Sequence, residues 1–290
     1  MKKFLAMLLT LCMVLAFAGC AQKAPEATEA PDQEATTEAP AGETPAATEE
    51  DVKSEGVMTY AEYVAAELES QVTVETYVQA KQSWWEDKAT VYSQDKDGAY
   101  FLYNMACSQE DYDKLVPGTK IKVTGYKSEW SGEIEIIDAT FEIEEGSFIA
   151  IPFDATELLG KDELIDHQNQ LVSFKGLTVE KVAYKNDQPG DDIYVTFGYN
   201  GASYDFCVES YLTGPDTEVY STVGALKEGD VVDVEGFLYW YEGVNTHITA
   251  ITAAKITAST RLRRFFPAGP FLFDELIVKL CRSLLTHMSI

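Results

Sequence analysis

Positive charge is scarce in this sequence. Among 290 residues, 48 are acidic and only 22 are Lys or Arg, which gives a formal net charge of −26. A surface of that sign repels phosphate backbones, so generic nucleic-acid binding starts at a disadvantage. Hydrophobic residues at 46% and aromatic residues at 12% are nevertheless too many for a wholly disordered acidic chain, so we expect part of it to fold.

Residues and motifs typical of catalysis are also scarce. The three histidines, His167, His247 and His287, have no local partner at metal-ligand spacing, and we interpret the first two as ordinary surface or edge residues. No Gly-x-Ser-x-Gly, P-loop or strand-linked Gly-x-Gly-x-x-Gly motif occurs. We expect Cys107 and Cys207 to be isolated buried thiols, with a disulfide as the alternative. The sequence therefore predicts a protein without catalytic activity, metal or cofactor.

A run of apolar residues near the start is too short to span a bilayer comfortably. It covers residues 4–18, interrupted only by Thr10, and follows two lysines, as in a secretory signal. It ends at Ala18-Gly19-Cys20, which resembles the lipobox of bacterial lipoproteins. The resemblance implies cleavage after residue 19, a diacylglyceryl group on Cys20, and an exported protein anchored to the outer face of the cytoplasmic membrane. An ordinary cleaved signal is the alternative.

The segments that flank the central part differ from it in composition. Residues 21–56 form an acidic Ala/Thr/Glu/Pro stretch, and residues 21–50 contain no aromatic residue and no Val, Ile, Leu or Met. We interpret this stretch as a disordered, self-repelling tether that holds the folded part away from the membrane. Residues 259–290 are instead basic and apolar. We interpret them as an atypical, non-native tail, with a docking or membrane-touching helix as the alternative.

Two segments of the central part repeat a pattern. Residues 115–126 and 226–237 share a Leu, a Gly, two aliphatic residues, a second Gly and an aromatic residue at one constant offset. The second glycines are Gly125 and Gly236. We expect them where a barrel strand bends across its partner, because a side chain would be crowded there.

Alternating hydrophobicity predicts the same series of elements around each repeat. Three strands are followed by a connecting segment and two more strands, which is the order of an OB-fold. The first connection is predicted to be a short helix capped by Ser108. We therefore predict an all-β protein with short helices, built from two tandem OB-fold-like, five-stranded Greek-key barrels. The predicted strands are 72–83, 89–94, 99–105, 120–130 and 133–143 in the first barrel (57–148), and 171–184, 192–199, 203–209, 230–241 and 245–256 in the second (149–258).

Over residues 60–256 the sequence resembles the tandem OB-fold lipoproteins of Gram-positive, gut-type bacteria. That resemblance implies the fold and the cell-surface location. The family is largely of unassigned function, so the resemblance implies no activity.

Aromatic residues are the best candidates for a binding site. OB-folds bind ligands on strands two and three and the adjoining loops, where rings stack on bases or sugars. The alternative is that these rings seal the barrel ends or form the interface between the barrels. The candidates are Trp84, Trp85, Tyr92, Tyr100, Trp130, Tyr194, Tyr204, Tyr239, Trp240 and Tyr241.

The distribution of charge distinguishes between the possible classes of ligand. Neither repeat contains the continuous basic groove that single-stranded nucleic acid needs. We therefore predict a lipid-anchored, non-catalytic binding or assembly module for an extracellular glycan, peptide or protein. The alternative is an OB-fold lipoprotein that binds nucleic acid or assists a nuclease, with nucleic acid the less favoured partner.

Overall fold

The structure, a computed structural model, describes residues 53–254. The predicted signal, Cys20, the tether as far as residue 52, and everything from residue 255 onward lie outside the described residues. Three α-helices occur within residues 53–254: α1 (Tyr60–Ala65), α2 (Gln109–Lys114) and α3 (Glu218–Gly224). The strands of that region are β1 (Gln71–Lys81), β2 (Lys88–Gln94), β3 (Ala99–Ala106), β4 (Thr119–Trp130), β5 (Glu133–Ser147), β6 (Phe153–Asp154), β7 (Leu171–Tyr184), β8 (Ile193–Tyr199), β9 (Ala202–Val208), β10 (Val231–Phe237) and β11 (His247–Ala253).

The first five strands form a closed barrel in the order β1-β2-β3-β5-β4. All neighbours are antiparallel except β3 and β5, which pair in parallel at Phe101 with Glu135 and Leu102 with Ile136. The pairing of β1 with β4 closes the barrel. This is the strand order of an OB-fold, which confirms the predicted all-β class with short helices and, for residues 71–147, the predicted five-stranded barrel.

The later strands form a six-stranded sheet in the order β10-β11-β9-β8-β7-β6, and β10 also pairs with β7. Strands β7-β8-β9-β11-β10 therefore repeat the succession seen in the first barrel. The parallel contact between β9 and β11 is a single pair, His247 with Cys207. The short strand β6 adds a parallel edge on β7 that the sequence pattern did not predict. Because of this shared succession and the β10–β7 pairing we call the six-stranded sheet the second barrel, although only the first five strands form a closed barrel among the described residues.

Each barrel encloses its own hydrophobic core. In the first, alternate side chains such as Val74, Val91 and Ile121 are fully buried. In the second, Phe174 and Phe206 lie at the centre, with their ring centroids 5.2 Å apart. The period of two in each strand sends every second side chain inward, which is why alternating hydrophobicity located the strands.

The two repeated glycines lie at strand bends, as predicted. The register of β4 with β5 shifts between Thr124 and Tyr126, and that of β10 with β11 shifts between Glu235 and Gly236. A Cβ atom on Gly236 would lie 2.2 Å from the carbonyl oxygen of His247. A Cβ atom on Gly125 would lie 2.7 Å from Cγ2 of Ile136. Only glycine allows the strands to approach this closely.

Short helices lie beside the first barrel. Helix α1 begins with a capping box in which the Thr59 side chain accepts from the Glu62 amide and the Glu62 carboxylate accepts from the Thr59 amide. Helix α2 is capped by Ser108, as predicted. A 3-10 helix, Asp162–His167, precedes the second barrel. No helix among the described residues is long and apolar enough to cross a bilayer.

The two cysteines of the described region are free thiols, and both are buried. This confirms the expectation of isolated thiols over a disulfide. Burial raises the pKa of Cys107 to about 11, so its thiol stays protonated and unreactive at neutral pH.

Candidate binding surfaces at the junction of the two barrels

Two of the predicted binding residues are turned toward the inside of their barrels. Tyr100 is fully buried, and its hydroxyl donates to the Asp95 carboxylate at 3.2 Å. Tyr204 packs against the core of the second barrel. The prediction that Tyr100 lines an exposed binding face is therefore wrong, whereas Tyr204 is only half-buried. The sequence pattern did not show which side chains of β3 face the core. Tyr100 faces inward, and Phe101 faces outward from the barrel.

Tyr92 and Tyr239 lie in the contact between the barrels. Tyr92 stacks on Phe237 with ring centroids 4.4 Å apart and an interplanar angle of 10°. Phe101 and Tyr239 meet edge to face at 5.3 Å, and Tyr239 stacks on His247 at 4.4 Å. We call these five rings the interbarrel cluster. The cluster covers part of the face of strands two and three of the first barrel, which is the surface an OB-fold normally offers to its ligand, and leaves Tyr103 of β3 exposed.

His247 is buried in this cluster, so its interpretation as a surface or edge residue is wrong. The Tyr92 hydroxyl and Nδ1 of His247 share a hydrogen bond of 2.7 Å. Burial lowers the pKa of His247 to about 4, which keeps the imidazole neutral at physiological pH. The alternative that some of the aromatic residues form the interface between the barrels is thus the correct one for Tyr92 and Tyr239.

Polar groups complete the contact between the barrels. The buried Glu133 carboxylate accepts from the Trp240 amide at 2.8 Å and from the Gln168 side chain at 3.1 Å. Gln168 also donates to the Gly132 carbonyl at 2.9 Å, and Asn169 donates to the Ile134 carbonyl at 3.1 Å. Burial raises the pKa of Glu133 to about 8. These bonds join the β4–β5 hairpin to the segment that precedes β7 and to the residues that follow β10.

Two of the predicted aromatic residues form an exposed surface where two hairpins meet. The Trp130 and Tyr241 rings come from different barrels, lie 5.2 Å apart between centroids, and are 52% and 46% exposed. Trp240, between the two barrels, is half-buried: it packs against the core of the second barrel and lies against Gly132, where an added Cβ would be 2.9 Å from Cδ1 of the indole. The Glu242 amide donates to the Ser131 carbonyl at 2.8 Å. We call Trp130 and Tyr241 the aromatic platform.

The β1–β2 loop carries two more of the predicted tryptophans. The Trp84 indole donates to the Cys107 carbonyl at 2.9 Å, which fixes its orientation. Trp85 is 71% exposed. The Ser83 amide donates to the Tyr211 carbonyl at 2.8 Å, so this loop also contacts the second barrel.

Tyr194 is the one predicted residue that remains on an exposed face of strands two and three. It lies on the outer side of β8, beside a Thr196 hydroxyl that donates to Asp205 at 2.6 Å. Lys181 pairs with Thr196 across β7 and β8. On this face of the second barrel, Tyr194 is therefore exposed, whereas Tyr92 on the corresponding strand of the first barrel is buried.

The charge of the described region is strongly acidic. Residues 53–254 contain 37 acidic residues, 13 lysines and no arginine. Seven of those lysines already contact carboxylates, carbonyls or a tyrosine ring within the protein: Lys53, Lys81, Lys114, Lys120, Lys127, Lys175 and Lys185. The remaining six lysines of this region are distributed over both barrels. No group of three His, Cys, Asp or Glu side chains that could hold a metal ion occurs within the described residues.

No protein-family model matches the sequence, and no curated protein matches it. Among solved structures, the chain is similar to a murine DNA-binding protein bound to double-stranded DNA, at 11% identity and a TM-score of 0.33, over 64% of this chain and 96% of that one. It is also similar to the tetrameric p202 HIN2, at 10% identity and a TM-score of 0.29, over 65% and 96%. A replication protein A heterotrimer bound to single-stranded DNA matches at 14% identity and a TM-score of 0.27, over 68% and 52%. At these identities and TM-scores, what those proteins bind does not transfer to this chain.

Proposed function

We propose that this protein is a non-catalytic binding module, held at the cell surface by a lipid on Cys20, and that its aromatic platform stacks on an uncharged extracellular glycan. The observation that carries the proposal is the pair formed by Trp130 and Tyr241, each about half exposed, with ring centroids 5.2 Å apart. Exposed apolar surface of this kind marks interaction sites. Aromatic rings offer the flat apolar contact that a sugar ring needs, and OB-folds bind oligosaccharides.

The platform is held in place before any ligand arrives. The hydrogen bonds of Glu242 to Ser131 and of Trp240 to Glu133 join the hairpins of the two barrels, both at 2.8 Å. Because the rings are already positioned, binding costs little conformational entropy.

The charge distribution favours an uncharged ligand over a phosphate backbone. Recognition of phosphates relies on Arg and Lys, whereas the described residues contain no arginine and most of their lysines are engaged within the protein. A basic peptide would also suit the acidic surface, and we include it as an arm of the test.

The experiment measures binding of the mature chain to neutral oligosaccharides, Lys-rich peptides and single-stranded oligonucleotides at physiological salt by calorimetry. We expect a neutral oligosaccharide to bind, and Trp130→Ala to weaken it by about 5- to 150-fold, if a sugar ring stacked on the indole contributes about as much as a stacked base, about 1–3 kcal/mol. Trp85→Ala, which removes an exposed tryptophan elsewhere on the first barrel, is the matched control and should bind normally. Binding of the peptide or the oligonucleotide alone would overturn the glycan proposal.

The anchor is tested by fractionation of cells that make the protein. We expect Cys20→Ala to move the protein from the membrane to the soluble fraction, since one thiol carries the whole lipid attachment. Equal membrane association of the variant would contradict the proposed anchor.

Nucleic-acid binding is the second candidate, and the exposed outer face of β8 and β9 favours it. Tyr194 lies there with Lys181 on the neighbouring strand, which is an arrangement suited to stacking a base beside a phosphate. In this case the affinity for an oligonucleotide would fall steeply with salt. Tyr194→Ala would then weaken binding, and Trp130→Ala would not.

A further inference from the structure

A nearly buried carboxylate lies on the outer face of the first barrel, on the strand next to the one that carries Trp130. Glu135 is only 7% exposed. It alternates along β5 with Ile134 and Ile136, which pack against the core, so its side chain points outward. Strand β5 lies between β3 and β4 in the barrel. Glu135 therefore occupies the middle strand of this outer face.

The Glu135 carboxylate has no partner within the protein. No hydrogen bond or ion pair within residues 53–254 includes it, so nothing there offsets the burial that raises its pKa. The neighbouring Glu133 differs, because its carboxylate accepts from Trp240 and Gln168 and its other oxygen is sealed from solvent. The Glu135 oxygens are not sealed in this way. They are desolvated acceptors that a ligand's donors can reach.

Exposed aromatic rings lie on both sides of Glu135. On β4, Ser128 is paired with Glu135, and Trp130 lies two residues farther along on the same face. The Trp130 ring is 52% exposed and has the Tyr241 ring beside it. On β3, Tyr103 lies two residues beyond the partner of Glu135, and its ring is 44% exposed.

The rings and the carboxylate form a line across the face. Tyr103 and Trp130 are two strands apart and four residues apart in level, which places their Cα atoms about 15 Å from each other. Glu135 is on the strand between them and two residues in level from each, so it lies midway. A ligand that touches all three groups must be longer than a single sugar ring.

The chemistry of this line defines the ligand. The rings at its two ends offer flat apolar contact to sugar faces. An ionised carboxylate only accepts hydrogen bonds, so Glu135 needs O–H or N–H donors from the ligand. Two vicinal hydroxyls of a neutral sugar supply two donors side by side, one for each oxygen. An anionic sugar would instead bring a second negative charge against Glu135.

We propose that Glu135 is the hydrogen-bonding residue of the glycan site, accepting two vicinal hydroxyls of one sugar ring while flanking rings of the same oligosaccharide stack on the aromatic platform and on Tyr103. This inference rests on the proposed function and names the class of glycan. The ligand is a neutral oligosaccharide of three or more rings whose middle ring has free vicinal hydroxyls.

The test titrates the mature chain by calorimetry with glucose, with β-linked glucose oligomers of three and five rings, and with their O-methylated counterparts, which lack the donors. We expect the longer oligomers to bind best and the methylated ones to bind at least tenfold more weakly. Glu135→Ala should weaken binding of the oligomers at least tenfold, because it removes a charged acceptor. The unfolding midpoint should not fall, because the lost group has no partner in the protein. A merely structural carboxylate would not separate affinity from stability in this way.

Two further variants complete the test. Glu142→Ala removes an exposed carboxylate elsewhere on β5 and is the matched control, so it should bind normally. Tyr103→Ala should weaken the oligomers and leave the affinity for glucose unchanged, because a single ring does not span the line.

The outcomes separate this inference from the proposed function. If Trp130→Ala weakens binding but Glu135→Ala binds as tightly as the original chain, the platform stands and the role of Glu135 is overturned. If no oligosaccharide binds, the proposed function fails and this inference fails with it. Tighter binding of a glucosamine oligomer than of the glucose oligomer would assign Glu135 to a cation and overturn the neutral ligand.

Discussion

At the scale of single residues, one position along a strand decides whether an aromatic ring is core or surface. Tyr100 and Phe101 are neighbours on β3, yet Tyr100 lies in the core of the first barrel while Phe101 contacts Tyr239 of the second. Both residues are aromatic, so composition does not distinguish them, and a shift of one residue exchanges the two faces. This explains why several predicted binding rings are structural in the folded protein.

Gly236 gives a prediction at the same scale. The change Gly236→Ala places a methyl group against the His247 carbonyl, at 2.2 Å before relaxation. Because the obstruction is backbone, no rotamer change relieves it, and β10 must separate from β11. We expect the free energy of unfolding in urea to fall by about 2 kcal/mol or more.

Gly214→Ala is the matched control for that change. A Cβ atom at Gly214 would meet only the Ser210 carbonyl, at 3.6 Å, and the backbone there does not have a positive φ. We expect a neutral or slightly stabilising effect, because alanine restricts the unfolded chain. Equal effects of the two substitutions would show that the bend in β10 does not depend on the missing side chain.

At the scale of elements, the sequence correctly predicted the features that depend on local pattern. It missed the features that depend on how the two barrels pack against each other. The strand order, the Ser108 cap of α2 and the glycine bends follow from alternation, capping chemistry and steric crowding, and they were correctly predicted. The burial of Tyr92 depends instead on Phe237, more than a hundred residues later. No local pattern carries that information.

The two equivalent hairpins show the same distinction. Aromatic residues at the ends of β4 and β10 were predicted as binding residues, with the barrel ends or the interface between the barrels as the alternative. The structure brings Trp130 and Tyr241 together, but it also places Tyr239 of the same run inside the interbarrel cluster. One short aromatic run thus supplies both a buried contact and an exposed surface.

At the scale of the whole molecule, the contact between the barrels contains an acid whose protonation is coupled to stability. Glu133 is fully buried, and one of its two oxygens has no hydrogen-bond partner among the described residues. Burial raises its pKa to about 8 from an ordinary value of 4.5. The folded protein therefore holds a proton that the unfolded chain releases between about pH 4.5 and pH 8.

This coupling between protonation and folding determines whether the free energy of unfolding rises or falls with pH. The folded state binds more protons in that window, so the contribution of Glu133 is fully present below pH 4.5 and is lost as pH rises through 8. Between pH 5 and pH 8 the loss should be on the order of 3 kcal/mol. His247 acts in the opposite direction, because its pKa is lowered to about 4 by burial and its contribution is lost as pH falls from about 6.5 to 4.

The variant Glu133→Gln isolates the first of these effects. Glutamine keeps an acceptor for the Trp240 amide and stays neutral, so we expect little change in the free energy of unfolding at pH 5 and a clear gain at pH 8, measured by urea denaturation at each pH. Glu129→Gln changes an exposed carboxylate on the same hairpin and should leave the pH profile as it is. If the Glu133→Gln profile kept the original slope between pH 5 and pH 8, the proton would reside elsewhere. Glu209, whose pKa burial raises to about 7, would then be the next group to substitute.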